Sequence, residues 1–144
     1  MNSVPLTVAI LDDESKFCQA QSRLLTTYGF KVESFETGDQ LLAALARQRF
    51  DCLLLDLHMP GMTGFDVLER LAGHGPRTPV IVVTGHDEPE NATRVRSLGA
   101  ADYLVKPVNE EDLLESLQRA MAAGSPPQPT ARNRTNNTNA IEDA

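Results

Sequence analysis

Four short, largely apolar runs each end abruptly at a polar residue, and this pattern constrains the fold more than any other feature of the chain. Continuous apolar runs of this length are typical of strands buried on both faces, as in a parallel sheet. The carboxyl ends of parallel strands lie at the edge where open α/β folds build their sites. We therefore expect the polar residues that end the runs to converge at one edge. The runs are Leu6–Leu11, Cys52–Leu55, Val80–Val83 and Tyr103–Val105, followed by Asp12-Asp13, Asp56, Thr84 and Lys106.

Helical periodicity between the runs predicts five βα units, with Lys31–Phe35 as a further short strand at an edge. Strands that alternate with helices indicate an α/β fold whose parallel sheet has helices on both faces. The predicted helices lie around Phe17–Tyr28, from Gly38, over Phe65–Gly73, over Asp87–Leu98 with Pro89 in the first turn, and after an N-cap at Asn109.

Composition excludes several classes of protein. The 144 residues carry 13 basic and 20 acidic side chains, a formal net charge of −7. This excess disfavours nucleic-acid binding by this chain, because phosphate backbones require a basic face. No run is apolar and long enough for a membrane-spanning helix, and the N-terminus lacks the features of a signal peptide. Cys18 and Cys52 are isolated, so we expect reduced thiols in a cytoplasmic protein.

The composition also changes along the chain. Residues 1–121 have the apolar content and periodicity of one domain. From 122 to 144 the chain is rich in Pro, Asn and Thr and has almost nothing apolar to bury. We expect 122–144 to be a linker or a disordered tail.

The polar residues at the strand ends suit metal-assisted phosphoryl transfer. Clustered carboxylates repel one another unless a cation joins them, and Mg²⁺ prefers oxygen ligands and binds phosphate oxygens as well. A carboxylate can attack phosphorus, while a lysine and a hydroxyl stabilise the transferred group. The carboxylates are those of Asp12, Asp13 and Asp56, and the other two groups are those of Thr84 and Lys106.

Each of these residues has an ordinary alternative explanation. An aspartate between a strand and a helix, such as Asp13, is commonly an N-cap. Asp56 precedes a Pro-Gly loop and could be a turn residue, and Lys106 could be a solvated charge. We favour the functional interpretation because all of them fall at strand ends on one edge.

The motifs at these strand ends resemble those of response-regulator receiver domains of two-component signalling. The resemblance extends from Leu6 to Met121, about four-fifths of the chain. The segments that carry it are Leu11-Asp12-Asp13, Leu55–Gly64, Val83-Thr84-Gly85 and Gly99–Pro107.

This resemblance implies a fold and a chemistry. The fold would be the flavodoxin-like, doubly wound sheet of five parallel strands in the order 2-1-3-4-5, with five helices. Asp56 would accept a phosphoryl group from a phosphohistidine on a sensor histidine kinase or a phosphotransfer protein. Mg²⁺ would be held by Asp12, Asp13, Asp56 and the backbone carbonyl of His58.

The resemblance also implies a conformational switch and an output surface. Thr84 and Lys106 would bind phosphoryl oxygens, Tyr103 would move inward as Thr84 is drawn to the phosphate, and the Lys106–Pro107 bond would be cis. The face formed by the fourth helix, fifth strand and fifth helix would contact an output partner, or a second copy of the chain in a phosphorylation-dependent homodimer. Candidate residues on this face are Arg94, Arg96, Tyr103 and Arg119.

His58 and His86 lie two residues after Asp56 and Thr84 respectively, so both are expected to border the site. Residues at these positions influence phosphate lifetime in the family. A second interpretation is two exposed loop histidines without a special role. A third is a transition-metal site formed with an aspartate, which no spacing motif supports.

Three functional hypotheses remain from the sequence. The first is a phosphorylatable switch that catalyses only its own phosphorylation and dephosphorylation. The second is a phosphatase of the haloacid-dehalogenase type, but Asp56-Leu57-His58 lacks the second aspartate of the Asp-x-Asp pattern. The third concerns context: the chain is either a single-domain regulator that acts by binding a partner or the N-terminal receiver fragment of a DNA-binding transcriptional regulator.

Overall fold

Strands and helices alternate along the part of the computed structural model that can be described, residues 4–73 and 78–123. The five strands form one parallel sheet in the order β2-β1-β3-β4-β5, which confirms the expected fold class. The strands are β1 Thr7–Leu11, β2 Lys31–Phe35, β3 Cys52–Leu55, β4 Val80–Thr84 and β5 Asp102–Val105. The helices are α1 Ser15–Thr27, α2 Gly38–Leu45, α3 Gly64–Ala72, α4 Asn91–Ser97 and α5 Glu110–Ala123.

Alternate residues of the central strands enter two separate cores. In β1, Val8 and Ile10 pack on the side of α1 and α5, whereas Ala9 and Leu11 pack on the side of α2, α3 and α4. Successive side chains of a strand point to opposite faces, so a strand covered on both sides must be apolar throughout. This is why β1, β3 and β4 are continuous apolar runs, while the edge strand β2 is mixed and largely exposed.

The strand register brings the strand ends to one edge. Leu11 pairs with Leu55, Leu55 pairs with Val82, and Thr84 pairs with Val105. The residues that follow β1 and β3, Asp12 and Asp56, therefore leave the sheet side by side. The backbone N–H of Lys106 donates to the carbonyl of Thr84 at 2.8 Å, which brings the end of β5 to the same edge.

Helices α3 and α5 each begin at a side-chain cap that the local sequence supplies. Thr63 and Asp66 form a reciprocal capping box at the start of α3. Asn109 accepts the N–H of Asp112 on its Oδ1 at 2.8 Å, which confirms the predicted N-cap of α5. These caps fix where the loops after β3 and β5 end, and both loops border the sheet edge that carries the polar residues.

The predicted start of the fourth helix is wrong. We expected the helix over Asp87–Leu98, but α4 begins at Asn91, and Pro89 lies in a turn before it. The N–H of Asn91 donates to the carbonyl of Glu88, and its side-chain amide donates to the carbonyl of His86 at 2.9 Å. The buried Asn91 amide thus ties the chain into a loop, an interaction that local helix signals do not reveal.

The expected domain boundary falls close to the end of α5. The helix continues to Ala123, two residues beyond the predicted limit of 121. Residues 124–144, most of the expected linker or tail, lie outside the described residues, so that expectation stays a prediction. No helix in residues 4–73 and 78–123 has the length and apolar character needed to cross a bilayer.

Gly64 allows α3 to approach the loop that follows β3. A Cβ built on Gly64 would collide with the backbone carbonyl oxygen of Asp56 and would lie 2.8 Å from the Cα of Leu57. The N–H of Gly64 also donates to the carbonyl of Leu57 at 3.0 Å. The first residue of α3 therefore packs directly on the backbone of Asp56, where only glycine fits without a shift.

We expect Gly64→Ala to lower the free energy of unfolding by about 1–3 kcal/mol, because the added methyl must displace backbone rather than a flexible side chain. Gly73→Ala is the matched control, since its Cβ would meet nothing closer than the Arg70 carbonyl at 3.8 Å. Urea unfolding of both variants without divalent ions tests this. Equal stability of the two variants would contradict it.

Candidate functional site

Three carboxylates form the centre of the site at the carboxyl edge of the sheet. Asp12 and Asp13 follow β1, and Asp56 follows β3; one carboxylate oxygen from each lies within 4.8 Å of the others. Asp12 is 2% exposed and Asp56 is 6% exposed, whereas Asp13 faces solvent. The cluster thus has a buried base and an open side through which a ligand can enter.

None of these aspartates is an ordinary helix cap. The N-cap of α1 is Glu14, which makes no side-chain capping bond. The Oδ1 of Asp12 accepts the N–H of Glu14 at 2.9 Å, a turn interaction that orients the Asp12 carboxylate towards the site. The interpretation of Asp13 as a cap therefore finds no support in the geometry.

Lys106 places one positive charge against this acidic cluster. Its Nζ donates to Oδ2 of Asp12 at 2.9 Å and to Oε1 of Glu14 at 2.6 Å. The same Nζ lies 4.2 Å from the ring centre of Phe17, in the range of a cation–π contact. The Lys106–Pro107 peptide bond is cis, as the resemblance implied.

The environment of the site disfavours the charged form of its two buried carboxylates. Burial, together with the neighbouring Asp12 carboxylate, raises the pKa of Asp56 to about 6. Burial also raises the pKa of Asp12, although its hydrogen bond to Lys106 opposes the shift. Burial alone would lower the pKa of Lys106, but its bonds to Asp12 and Glu14 outweigh that effect and raise it. Lys106 therefore compensates only part of the buried negative charge.

The donor set of this cluster fits Mg²⁺. Hard divalent cations take oxygen ligands, and the three clustered carboxylates offer only oxygen. Burial raises the pKa of Asp56, and repulsion from Asp12 adds to that shift; a cation between the carboxylates would offset the repulsion. The pocket therefore has both the ligands and the charge for one such ion. The backbone carbonyl of His58 as a further ligand stays a prediction.

Thr84 closes the buried side of the site. It is the last residue of β4 and is 0% exposed. Its Oγ1 accepts the N–H of His86 at 3.0 Å, which fixes the start of the loop before α4. The Thr84 hydroxyl is therefore directly connected to this loop.

Tyr103 contacts the same loop through its hydroxyl. It stands in β5, half-buried against the core on the α2–α4 side, and its hydroxyl donates to Oδ1 of Asp87 at 2.9 Å. Burial and this hydrogen bond raise the pKa of Tyr103 to about 12. The Tyr103 side chain is thus held by the loop that Thr84 anchors.

The structure brings His58 and His86 together. Their ring centres are 4.2 Å apart and the rings are tilted by 47°, so the loops after β3 and β4 meet above the site. Both residues are exposed. Within the described residues, Asp12, Asp13 and Asp56 are the only group of three potential ligands close enough to share an ion. A metal site that includes the two histidines therefore finds no third ligand.

The candidate output residues make different contacts. The guanidinium of Arg94 lies 3.9 Å from the ring centre of Phe65 in α3, so it bridges α4 to α3. Arg119 of α5 pairs with Asp102 of β5 at 3.0 Å, while Arg96 is exposed. Arg119 thus joins the two elements of the expected face, whereas Arg94 reaches away from it.

Sequence reasoning missed several residues that shape the site. Glu14 and Phe17 surround Lys106, Gly64 supports the backbone of Asp56, and Asp87 holds Tyr103. One signal was available: Glu14 is the third consecutive acid after β1, at the same sheet edge. The other contacts depend on tertiary packing.

Comparison with known proteins identifies the family. The family model described as the response regulator receiver domain matches residues 8–118. The chain belongs to this family. It is therefore a receiver domain of two-component signal transduction, which confirms the family that the motifs resemble.

Similar proteins differ in length from this receiver domain. The response regulator protein TmoT of Ectopseudomonas mendocina is 34% identical over 121 residues, which are 84% of this chain and 55% of TmoT. The DNA-binding transcriptional regulator NtrC of Salmonella typhimurium is 36% identical over 80% of this chain and 24% of its own length. The receiver thus spans about half, or less, of the curated relatives it matches.

One solved structure matches this fold over nearly the whole length of the solved chain. The Vibrio cholerae chemotaxis protein CheY4 superposes with a TM-score of 0.75 at 34% identity and covers 81% of this chain and 99% of CheY4. The strand order and the five helices of this receiver therefore agree with an experimentally determined relative.

The raised pKa of Asp56 predicts that the metal-free receiver becomes less stable as pH rises. The folded state binds the Asp56 proton more tightly than the unfolded chain, so stability falls between about pH 4 and pH 6 and stays low above it. We expect Asp56→Asn to be more stable than wild type by about 2 kcal/mol at pH 7.5, with a gain that vanishes near pH 4.

Urea unfolding in EDTA across this pH range measures the difference. Asp39→Asn, in the first turn of α2, is the matched control: it keeps Asp56, so its stability should fall with pH as that of wild type does. Mg²⁺ should stabilise wild type more than Asp56→Asn. A stability difference that is independent of pH would contradict the electrostatic explanation.

Proposed function

We propose that this receiver accepts a phosphoryl group on Asp56 and uses the modification to switch the loop between β4 and α4. The observation that supports this proposal is the meeting of three carboxylates, a lysine and a buried threonine hydroxyl at one sheet edge. The donor would be a phosphohistidine on a sensor histidine kinase or a phosphotransfer protein. The reaction would take place in the cytoplasm, as the relationship to response regulators suggests.

In the proposed reaction, an Oδ of Asp56 forms a bond to phosphorus while the bond from phosphorus to the donor imidazole breaks. The imidazole leaves with the electron pair of that bond and takes up a proton, and an acyl phosphate remains on Asp56. Lys106 donates to a phosphoryl oxygen and offsets its negative charge. The Thr84 hydroxyl accepts from His86 N–H, so its own O–H is the donor for a second phosphoryl oxygen.

Asp12, Asp13, Asp56 and the His58 carbonyl would hold Mg²⁺, which when bound neutralises charge on the carboxylates and the phosphoryl oxygens. Asp12 is held for this task by two hydrogen bonds, from the N–H of Glu14 and from Lys106. Asp13 is exposed and can reorient when a ligand arrives. This division into one fixed and one adjustable carboxylate supports entry of the ion from solvent.

The length of the relatives supports a proposal about output. TmoT and NtrC extend beyond the segment that matches this chain, and NtrC is a DNA-binding transcriptional regulator. We propose that this receiver controls a transcriptional output domain, in the same chain or on a partner. The surface of α4, β5 and α5 would transmit the signal. The phosphatase alternative lacks a second acid at the position two residues after Asp56, where His58 stands.

Phosphorylation by acetyl phosphate tests the central proposal directly. We expect intact mass to rise by one phosphoryl group in the presence of Mg²⁺ and to stay unchanged in EDTA. Asp56→Asn should remain unmodified, whereas the control Asp39→Asn should behave as wild type. Modification of Asp56→Asn to the wild-type extent would contradict the assignment of the acceptor.

Tyrosine fluorescence tests the proposed switch. The chain has two tyrosines and no tryptophan, so Tyr28→Phe leaves Tyr103 as the sole fluorophore of this type. A carboxylate that accepts the phenol proton quenches emission, and Tyr103 donates to Asp87. We expect beryllofluoride, a phosphoryl mimic, to raise emission in Tyr28→Phe as this bond breaks.

Two further variants in the Tyr28→Phe background test the cause of the change in Tyr103 emission. Asp87→Asn should raise resting emission and reduce the change. Thr84→Ala should bind beryllofluoride without the full change, because the loop is no longer drawn towards the phosphoryl mimic. Constant emission on saturation with beryllofluoride would argue against movement of Tyr103.

A further inference from the structure

The outermost contact of Lys106 is with Glu14, a residue that the phosphorylation chemistry does not use. The Nζ of Lys106 is 2.6 Å from Oε1 of Glu14 and 2.9 Å from Oδ2 of Asp12. The Lys106 side chain is 15% exposed and that of Asp12 is 1% exposed, whereas that of Glu14 is 62% exposed. Lys106 thus has one buried and one exposed carboxylate partner.

These contacts tie the ammonium group to one segment of the chain. Asp12, Glu14 and Phe17 all belong to the segment from the end of β1 into α1, and all three surround Nζ. Among the described residues, the side-chain hydrogen bonds and ion pairs of Lys106 are to Asp12 and Glu14, and none is to Asp56. Asp12 and Glu14 thus occupy two of the three N–H donors of Nζ, and a phosphoryl group on Asp56 would have to share the ammonium charge with them.

Glu14 is the partner that can be released. Its carboxylate already faces solvent and can be rehydrated at little cost, whereas Asp12 is buried and oriented by a second hydrogen bond. A phosphoryl group adds about −1.5 to −2 charges beside Glu14, so the two anions also repel each other. Charge and exposure therefore both favour exchange of Glu14 for the phosphoryl oxygen.

We propose that Glu14 is a positioning residue that competes with the phosphoryl group for Lys106. In the unphosphorylated receiver Glu14 holds Nζ in a resting position, and phosphorylation displaces it. The inference rests on the proposed function, since it assumes that Lys106 binds the phosphoryl group. Glu14 thereby weakens phosphoryl binding and favours the resting state.

The equilibrium affinity for beryllofluoride at saturating Mg²⁺ measures this competition. The exposed ion pair between Glu14 and Lys106 contributes only a small free energy, so its loss should change the affinity modestly. We expect Glu14→Gln to bind beryllofluoride about two- to fivefold more tightly than wild type. Glu69→Gln in α3 removes the same charge at another exposed position and should bind as wild type does. Amide chemical-shift titrations give both constants.

Two more variants separate contact from charge. Glu14→Asp keeps the charge but is one methylene shorter, so direct competition predicts tighter binding than wild type, as for Glu14→Gln. In a Lys106→Met background, Glu14→Gln should have no effect on the affinity, because the competition acts through Lys106. This absence of an effect without Lys106 is a result that a general change in folding would not produce.

Wild-type affinity in Glu14→Gln, or the same gain from Glu14→Gln with and without Lys106, would overturn the inference. Wild-type affinity in Glu14→Asp would mean that charge alone acts, and would overturn it as well. If wild type itself fails to bind beryllofluoride in Mg²⁺, the proposed function fails first. The wild-type titration therefore distinguishes the two failures.

Discussion

Repulsion between carboxylates that the sheet forces together is the constraint on which the site depends. Register between β1 and β3 places Asp12 and Asp56 side by side, and burial deprives both of the water that would screen them. The backbone cannot relax this arrangement without breaking the ladder between the two central strands. The repulsion between the carboxylates can be offset by Lys106, by a proton on Asp56 or by a bound cation. The fold itself therefore favours the binding of a cation at this site.

The surrounding structure keeps this unfavourable cluster in place. Gly64 lets α3 pack on the backbone of Asp56, and the capping box of Thr63 and Asp66 fixes the start of that helix. On the opposite side, Lys106 is held over Phe17 and against Asp12. The two apolar cores on the faces of the sheet stabilise the fold. They offset the destabilisation that the clustered carboxylates cause at the polar edge.

The loop between β4 and α4 connects this edge to a distant surface. Thr84 accepts the N–H of His86 at one end of the loop, and Asp87 accepts the hydroxyl of Tyr103 in β5. Asn91 closes the loop at the start of α4 by bonding the carbonyl of His86. Hydrogen bonds to this one loop thus connect a buried hydroxyl at the site with the side chain of Tyr103 in β5.

The sequence by itself determined the strands, their succession along the chain and the residues at their ends, because double-sided burial requires continuous apolar runs whose limits are visible in the chain. The strand order 2-1-3-4-5 and the roles proposed for Asp56, Thr84 and Lys106 were implied by the resemblance of the motifs. Only the tertiary structure decided what surrounds Lys106, since Glu14 is 92 residues away in sequence. The same holds for the contact of His58 with His86 and the reach of Arg94 to Phe65, each of which depends on groups from different segments meeting in space. The late start of α4 goes with the hydrogen bond from the Asn91 side chain to the His86 carbonyl, which local helix signals do not reveal.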